Sequence, residues 1–323
     1  MMKKFHALGI CLGAALLALL IWKIGPLVLW QDLSLFGWGL VPFILLEGAV
    51  DLFHTLGWRY CLSEPHRSLP FARLFAIRLA GGSINYVTPT GAVGGEVVKG
   101  TLLFLDYHGP EAATGVIIGK LSYALSQFLF VVLGSMVVLW RIRLPATASA
   151  AMFAASLLLG ASMAAFFLVQ RRGKLGTILR WGVARRLAGR RLEGVARHVT
   201  DVDCSLKRFY EEHPSGLPLS MLWHGIGFTC SIVKTWYFLF FMTGGSFFAA
   251  AGAWFLGTWL DLLTFAIPLG IGVQEAIRVL AFKTIGFSMD LGLTYGVALR
   301  LEQVFWAGIG LLAYGALMRR KRS

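Results

Sequence analysis

The sequence is short of the residues on which many metal and catalytic sites depend. Four cysteines are scattered and form no CxxC pair: Cys11, Cys61, Cys204 and Cys230. Neither a disulfide framework nor a zinc site is indicated. The HExxH and GxSxG motifs of common hydrolases do not occur. We therefore expect no metal, no cofactor and no enzyme activity.

Charged residues are also scarce, at 14% of the chain against 57% hydrophobic residues. This balance excludes an ordinary soluble globular protein. Apolar runs near the length needed to span a bilayer recur at residues 7–29, 39–60, 113–139, 148–169, 217–242 and 291–317. The first run follows Lys3 and Lys4 without a clear cleavage site, so we interpret it as a retained helix. The sequence thus predicts an all-α integral membrane protein with about six spanning helices.

Basic residues outnumber acidic ones, giving a net charge of +14, and their placement favours a membrane over nucleic acid. The excess lies beside apolar runs, at the N-terminus, at the C-terminal residues 319–322 and in the loop 170–216. This is typical of cytoplasmic segments that face anionic lipid headgroups. We expect both termini in the cytoplasm, a bacterial inner (cytoplasmic) membrane, and no nucleic-acid partner.

The loop carries apolar residues at alternating spacings of three and four, among many arginines, which predicts an amphipathic helix. These residues are Leu192, Val195, Val199, Val202, Leu206 and Phe209. Such a helix can lie in the cytoplasmic interface, and the alternatives are dimerisation or packing under the bundle. The loop separates an N-terminal membrane half, residues 1–169, from a C-terminal half, residues 217–323.

One polar pattern occurs in both halves. Residues 89–99 (PTGAVGGEVVK) and 268–278 (PLGIGVQEAIR) share the form Pro-x-Gly-x4-Glu-x2-(Lys/Arg). A basic residue follows in each half, with Lys120 placed 24 residues after Glu96 and Arg300 placed 25 after Glu275. Paired hydrophobic segments interrupted by glycine and proline indicate the binding site of a transporter with internal repeats.

The expected topology gives these two regions a special role. If the termini and the loop are cytoplasmic, residues 71–105 must begin and end inside and residues 248–286 must begin and end outside. Each region then forms a re-entrant helical hairpin, and the two enter from opposite faces as in an inverted-topology repeat. Arg141 and Arg143 fall outside in this scheme, against the positive-inside rule. Four ordinary helices in place of the hairpins are the alternative.

The motif residues suggest a lipid-headgroup site. Glycine and proline interrupt the helix before each Glu, so a new half-helix begins there with free N–H groups that suit an anion. Glu96 with Lys99, and Glu275 with Arg278, are three apart and can meet on one helix face. Each pair is either a structural ion pair or one that opens for a headgroup. The candidate substrate-binding residues are Asn85, Pro89, Gly91, Glu96, Lys99, Lys120, Pro268, Gly270, Glu275, Arg278 and Arg300.

A second polar set lies within the run 39–60. Glu47, Asp51 and His54 lie along one helix face, and this row of residues is called the strip below. It indicates a proton relay, ion coupling or a set of partners for Lys120. The alternative is that they satisfy neighbouring backbone groups in the bundle. Asn85, the single asparagine, can likewise cap a half-helix rather than contact a ligand. Asp261, His224, Lys234 and Glu302 are weaker candidates in the second half.

Together, these residues resemble a known family. The block 85–99 with Lys120, and the block 268–275 with Arg300, are similar to the flippase-like lysylphosphatidylglycerol synthase transmembrane family, which includes stand-alone members associated with hopanoid biosynthesis. Lys99 and Lys120 stand where many members have Arg, which puts bidentate phosphate binding in doubt. The resemblance implies movement of a lipid between leaflets, without the synthase activity of members that carry an aminoacyl-transferase domain.

Our leading hypothesis is a translocator for a lipid with an anionic or zwitterionic headgroup, such as a phospholipid or a hopanoid-type lipid. One alternative is a membrane-embedded transferase on lipid-linked substrates, with His54 as its acid–base candidate. The other is a non-catalytic scaffold for lipid-synthesis enzymes. Membrane lipids are the expected partners, and a homo-oligomer or a complex with such enzymes fits the same sequence.

Overall fold

A computed structural model of the chain describes residues 21–88, 93–108, 111–141, 146–171, 215–264 and 272–319, with short pieces at 18–19 and 211. Every regular element within these ranges is helical. The prediction of an all-α fold is therefore confirmed for the described part of the chain. In lipid a helix satisfies its own backbone hydrogen bonds, which suits sequence this apolar.

Ten helices are labelled here in chain order. The first half contains α1 (Pro26–Phe36), α2 (Leu40–Arg59), α3 (Phe71–Val87), α4 (Val93–Asp106), α5 (Glu111–Arg141) and α6 (Ala146–Arg171). The second half contains α7 (Gly216–Thr243), α8 (Phe247–Thr264), α9 (Val273–Ile285) and α10 (Met289–Arg319). A 3-10 turn at Gly37–Gly39 joins α1 to α2, and a single helical turn, Glu64–Arg67, precedes α3.

Within the described residues, four segments are long and apolar enough to cross a membrane: Pro26–Arg59, Glu111–Val138, Gly216–Thr243 and Met289–Arg319. They correspond to the predicted spans 39–60, 113–139, 217–242 and 291–317. The predicted span 148–169 falls on α6, which has a shorter apolar stretch at Ser149–Ser162. The chain is therefore a multi-pass membrane protein by length and composition of its helices, and six as the number of crossings stays a prediction.

The predicted first span, 7–29, is wrong at its C-terminal end. Gly25 has φ +103°, a backbone conformation that residues other than glycine rarely adopt. Pro26 then starts α1. The helix that begins there continues through the 3-10 turn into α2 rather than ending at residue 29. The earlier part of this run lies mostly outside the described residues, as does most of the loop 170–216 with its predicted amphipathic helix.

Both predicted hairpin regions fold as pairs of packed helices. Residues 71–105 form α3 and α4, and residues 248–286 form α8 and α9, with the helices of each pair in contact. In the first pair the backbones approach closely, because a Cβ on Gly95 would collide with the carbonyl oxygen of Gly81. Re-entry of the two hairpins from opposite faces stays a prediction.

The two halves interleave rather than lie side by side. Helix α2 packs along α7 at the centre, α3 packs on α10, and α5 packs on α8. An aromatic cluster joins the halves near one end of α2, where Phe36 and Phe43 meet Phe238 edge-to-face. Each hairpin therefore contacts a long helix of the opposite half, which is α10 for the first hairpin and α5 for the second.

Candidate functional site

A polar cavity of about 320 Å³ lies where the two halves meet. Its walls come from α2, α3, α4 and α5 of the first half and from α7 and α10 of the second. The polar side chains that line it are Glu47, Asp51, Arg78, Ser83, Asn85, Tyr86, Glu96, Lys99, Lys120, Tyr123, His224, Glu302 and Gln303. Ionisable groups are costly inside a membrane protein and normally face a water-filled cavity or a functional site. This cavity is therefore the candidate site.

The first repeat motif supplies one wall of the cavity. Glu96 lies in the first turn of α4, where the helix dipole stabilises its negative charge. The Lys99 ammonium lies 2.5 Å from a Glu96 oxygen, so the predicted pair is confirmed. It also lies 5.5 Å from the centre of the Trp58 ring, within the range of a cation–π contact. Lys99 is thus held from two sides.

Lys120 is the cation of this group that is least enclosed. Its side chain is 50% exposed, and its ammonium lies 3.6 Å from the second Glu96 oxygen. A pair at that distance, with one partner half in solvent, contributes little to stability. Lys120 can therefore turn from Glu96 to an incoming anion at small cost.

Asn85 holds the start of α4 in place. Its side-chain oxygen accepts a hydrogen bond of 2.6 Å from the Gly95 backbone N–H. The capping alternative considered for this residue is therefore what the structure contains, although Asn85 also lines the cavity. The Gly95 N–H, expected to be free for an anionic ligand, already has this partner.

The second repeat motif is arranged differently from the first. Glu275 does not pair with Arg278 as predicted, because Arg300 reaches Glu275 at 2.9 Å and Arg278 reaches Asp261 at 2.5 Å. Glu275 is only 1% exposed. Arg300 also interacts with Tyr86 of the first half. Packing against α8 and α10 has decided these partners, and none of the three motif residues is among the described residues that line the cavity.

The remaining motif residues lie outside the described part of the chain. They are Pro89, Gly91, Pro268 and Gly270. The helices that follow begin where the glycines and prolines predicted, with α4 starting at Val93 and α9 starting at Val273. Glu96 and Glu275 both lie in a first turn, as expected.

The predicted relay strip on α2 has three separate partners. Glu47 contacts Lys234 at 2.5 Å, Asp51 contacts Arg78 at 3.2 Å, and His54 contacts His224 through the two Nδ1 atoms at 2.9 Å. Glu47 and Asp51 line the cavity, whereas His54 is 3% exposed and packs behind it. The strip is therefore not the partner of Lys120, which lies beside Glu96 instead.

Sequence reasoning missed or undervalued several charged residues of the site. The Lys234 ammonium joins Glu47 to Glu302, whose two oxygens lie 2.8 and 2.7 Å away. Arg78 and Tyr123 line the cavity although no repeat includes them. The available signal was the Arg in the middle of the apolar helix α3, since such residues are functional by default in a membrane.

Charges in and behind the cavity balance among the described residues. Three cations and four carboxylates line it: Arg78, Lys99, Lys120, Glu47, Asp51, Glu96 and Glu302. Lys234 supplies the fourth cation from behind the wall. The site is therefore formally neutral, with its positive and negative groups apart. Such a site favours a zwitterionic ligand, or an anionic ligand that takes the place of a carboxylate beside one of the cations.

Apart from the Glu96 oxygen that is ion-paired with Lys99, two buried polar atoms on lining residues have no hydrogen-bond partner among the described residues. They are Nε2 of His224 and the side-chain oxygen of Gln303. Buried polar atoms are normally paired, so atoms of this kind mark where a polar ligand or solvent can bind. In the described ranges no group of three or more His, Cys, Asp or Glu is arranged to hold a metal ion.

A reciprocal contact marks the centre of the molecule. The ring of His54 lies against Gly227, and the ring of His224 lies against Gly57. A Cβ on either glycine would meet the opposing ring at 2.8 Å. His-x-x-Gly thus occurs at 54–57 on α2 and at 224–227 on α7, in equivalent roles.

Comparison with known proteins gives one finding. Residues 6–310 match the family described as lysylphosphatidylglycerol synthase TM region. No curated protein matches the chain, and no solved structure matches it.

Proposed function

Because the chain belongs to the lysylphosphatidylglycerol synthase TM-region family, we propose that it moves a lipid with an anionic or zwitterionic headgroup between the two membrane leaflets. The family points to a membrane protein linked to lipid metabolism or transport. The observation that carries the finer proposal is the charged cavity between the two halves. A headgroup needs polar surroundings to cross the bilayer interior, while its tails stay in lipid.

The repeated arrangement of the two halves supports movement rather than static binding. Each half has a hairpin whose second helix opens on a Glu, followed by a long helix with a cation facing that Glu. The His–Gly contacts at the centre are likewise duplicated. Transporters built from inverted repeats expose one site to the two sides in turn. We propose six crossings and two re-entrant hairpins on this basis, with both termini in the cytoplasm.

The role of the α2 strip remains a proposal within the same function. Glu47 and Asp51 line the cavity and can carry protons, and His54 touches His224 behind them. The structure gives the transferase alternative less support, since its candidate His54 is buried and is not among the described lining residues.

Reconstitution tests the proposal directly. Purified protein is placed in vesicles with a headgroup-labelled phosphatidylglycerol or phosphatidylethanolamine, and a membrane-impermeant reductant bleaches the label in the outer leaflet. We expect the protein to make inner-leaflet label accessible, and Glu96→Gln, at the cavity wall, to slow this step. Asp106→Asn is the matched control, because Asp106 pairs with Arg73 at 2.7 Å outside the cavity. Equal bleaching in protein-free and protein-containing vesicles would contradict the proposal.

A further inference from the structure

An apolar groove of about 640 Å³ runs between α4 and α5. Its walls are almost entirely hydrocarbon, with Glu96 and Thr101 among Val93, Val97, Gly100, Phe104, Ala112, Ala113, Val116 and Ile117. Val93 and Val97 are about three-fifths exposed, at 62% and 61%. In a membrane these side chains face lipid rather than water.

The groove joins the polar cavity at one residue. Glu96 lines both spaces, and Lys120, which lies 3.6 Å from it, stands on the cavity side. A molecule that spans this junction therefore meets a charged site at one end and hydrocarbon at the other. This is the shape and polarity of an amphiphile with its headgroup in the cavity.

The groove lies in the seam between α4 and α5, and the equivalent seam in the second half, between α9 and α10, is closed. Ala112, Val116 and Lys120 on α5 correspond, 180 residues later, to Gly292, Gly296 and Arg300 on α10. The two glycines bring α9 against α10, because an added Cβ would lie 2.8 Å from the Val279 Cα at Gly292 and 3.1 Å from the Glu275 Cα at Gly296.

Helices α4 and α5 stay further apart at the matching level. A Cβ added to Gly100 would find only a methyl group of Val116, at 4.0 Å. Of the two related seams, the one beside Lys120 is thus the open one. The open seam is also the one whose Glu lines the cavity.

We propose that the groove between α4 and α5 is the subsite for a hydrocarbon tail of the lipid whose headgroup binds at Glu96, Lys99 and Lys120. This inference rests on the proposed function and adds the place where the lipid enters the site sideways from the bilayer. An acyl chain is the occupant that fits, because the groove continues from a charged site into lipid-facing surface. The tail keeps van der Waals contacts in the groove while the head leaves the bilayer surface.

Photo-crosslinking locates the tail. The full-length protein is placed in vesicles that contain a phosphatidylglycerol with a photoreactive diazirine in its acyl chain, and the adducts are mapped by mass spectrometry. We expect adducts concentrated on α4 and α5, on residues such as Val97 and Ile117. Lys120→Gln should lower these groove adducts several-fold, since the head that anchors the tail is lost. Equal adducts on all lipid-facing helices, unchanged in Lys120→Gln, would overturn the proposal.

Filling the groove gives a second test with a matched control. Ala113→Phe places a ring in the groove, and Ala154→Phe places the same ring on an exposed alanine of α6. We expect Ala113→Phe to remove most groove adducts and to slow leaflet exchange, whereas Ala154→Phe should behave like the wild type.

The two readouts separate the tail site from the proposed function. Crosslinking does not depend on transport, so groove adducts without any leaflet exchange would contradict the proposed function and support the tail site. Leaflet exchange unaffected by Ala113→Phe would overturn the tail site and leave the proposed function standing.

Discussion

The seam between α4 and α5 and the seam between α9 and α10 are built on one pattern and differ in how tightly they close. In both, a Glu in the first turn of a short helix faces a cation on the following long helix. Glycines at 292 and 296 draw the second seam together, and Glu275 is buried against Arg300. Alanine and valine at the matching positions leave the first seam open, with Lys120 half in solvent. The small difference in side-chain size at these positions thus accompanies a buried ion pair in the second seam and an accessible one in the first.

The largest expected difference between the seams concerns their cations. Arg300→Gln leaves Glu275 buried without its charged partner, and we expect a loss of about 3–5 kcal/mol in the free energy of unfolding. Lys120→Gln removes a half-exposed cation, and we expect a change of about 0–1 kcal/mol. Thermal or denaturant unfolding of the two purified variants in detergent measures both. Equal losses would show that the two pairs are equally structural.

A smaller effect is expected when the same methyl group is added to each seam. Gly292→Ala forces the added Cβ against the α9 backbone, and we expect a loss of about 1–3 kcal/mol in unfolding free energy. Gly100→Ala meets only a methyl group of Val116, at 4.0 Å, and we expect a gain of about 0.5–1 kcal/mol from the lower chain entropy of the unfolded state. The two substitutions should therefore move the unfolding midpoint in opposite directions. Movement in the same direction would mean that the first seam is closed as well.

The smallest expected effect concerns how each short helix begins. Asn85 caps α4 from the neighbouring helix α3, whereas α9 follows Gly272 at φ +74° without a side-chain cap. Asn85→Ala should cost about 1 kcal/mol of unfolding free energy, the usual effect of losing a capping side chain. If the same variant abolished leaflet exchange without this loss, ligand contact rather than capping would be the role of Asn85.

The local features of this fold were readable from the sequence. Proline and glycine predicted where α4 and α9 begin, apolar length predicted four of the spans, and the i, i+3 spacing predicted the contact of Glu96 with Lys99. Each of these depends on residues close together in the chain. The start of α1 at Pro26 was not predicted, because a hydropathy pattern does not show that Gly25 has a positive φ.

Long-range partners could not be predicted in the same way. Glu275 and Arg278 have the spacing of Glu96 and Lys99, yet packing gives them Arg300 and Asp261. The contact of Lys234 with Glu47 joins residues 187 apart, and only the packing of α2 along α7 brings them together. Spacing within a helix specifies which side chains can meet, and the neighbouring helix decides which of them do.

The most direct test is the rate at which phosphatidylglycerol in vesicles changes leaflet with the wild type and with Lys120→Gln at equal amounts of folded protein. If the open seam and the cavity form the route of the headgroup, the rate in Lys120→Gln falls several-fold while its unfolding midpoint stays near that of the wild type. An unchanged rate would contradict a lipid pathway through this cavity.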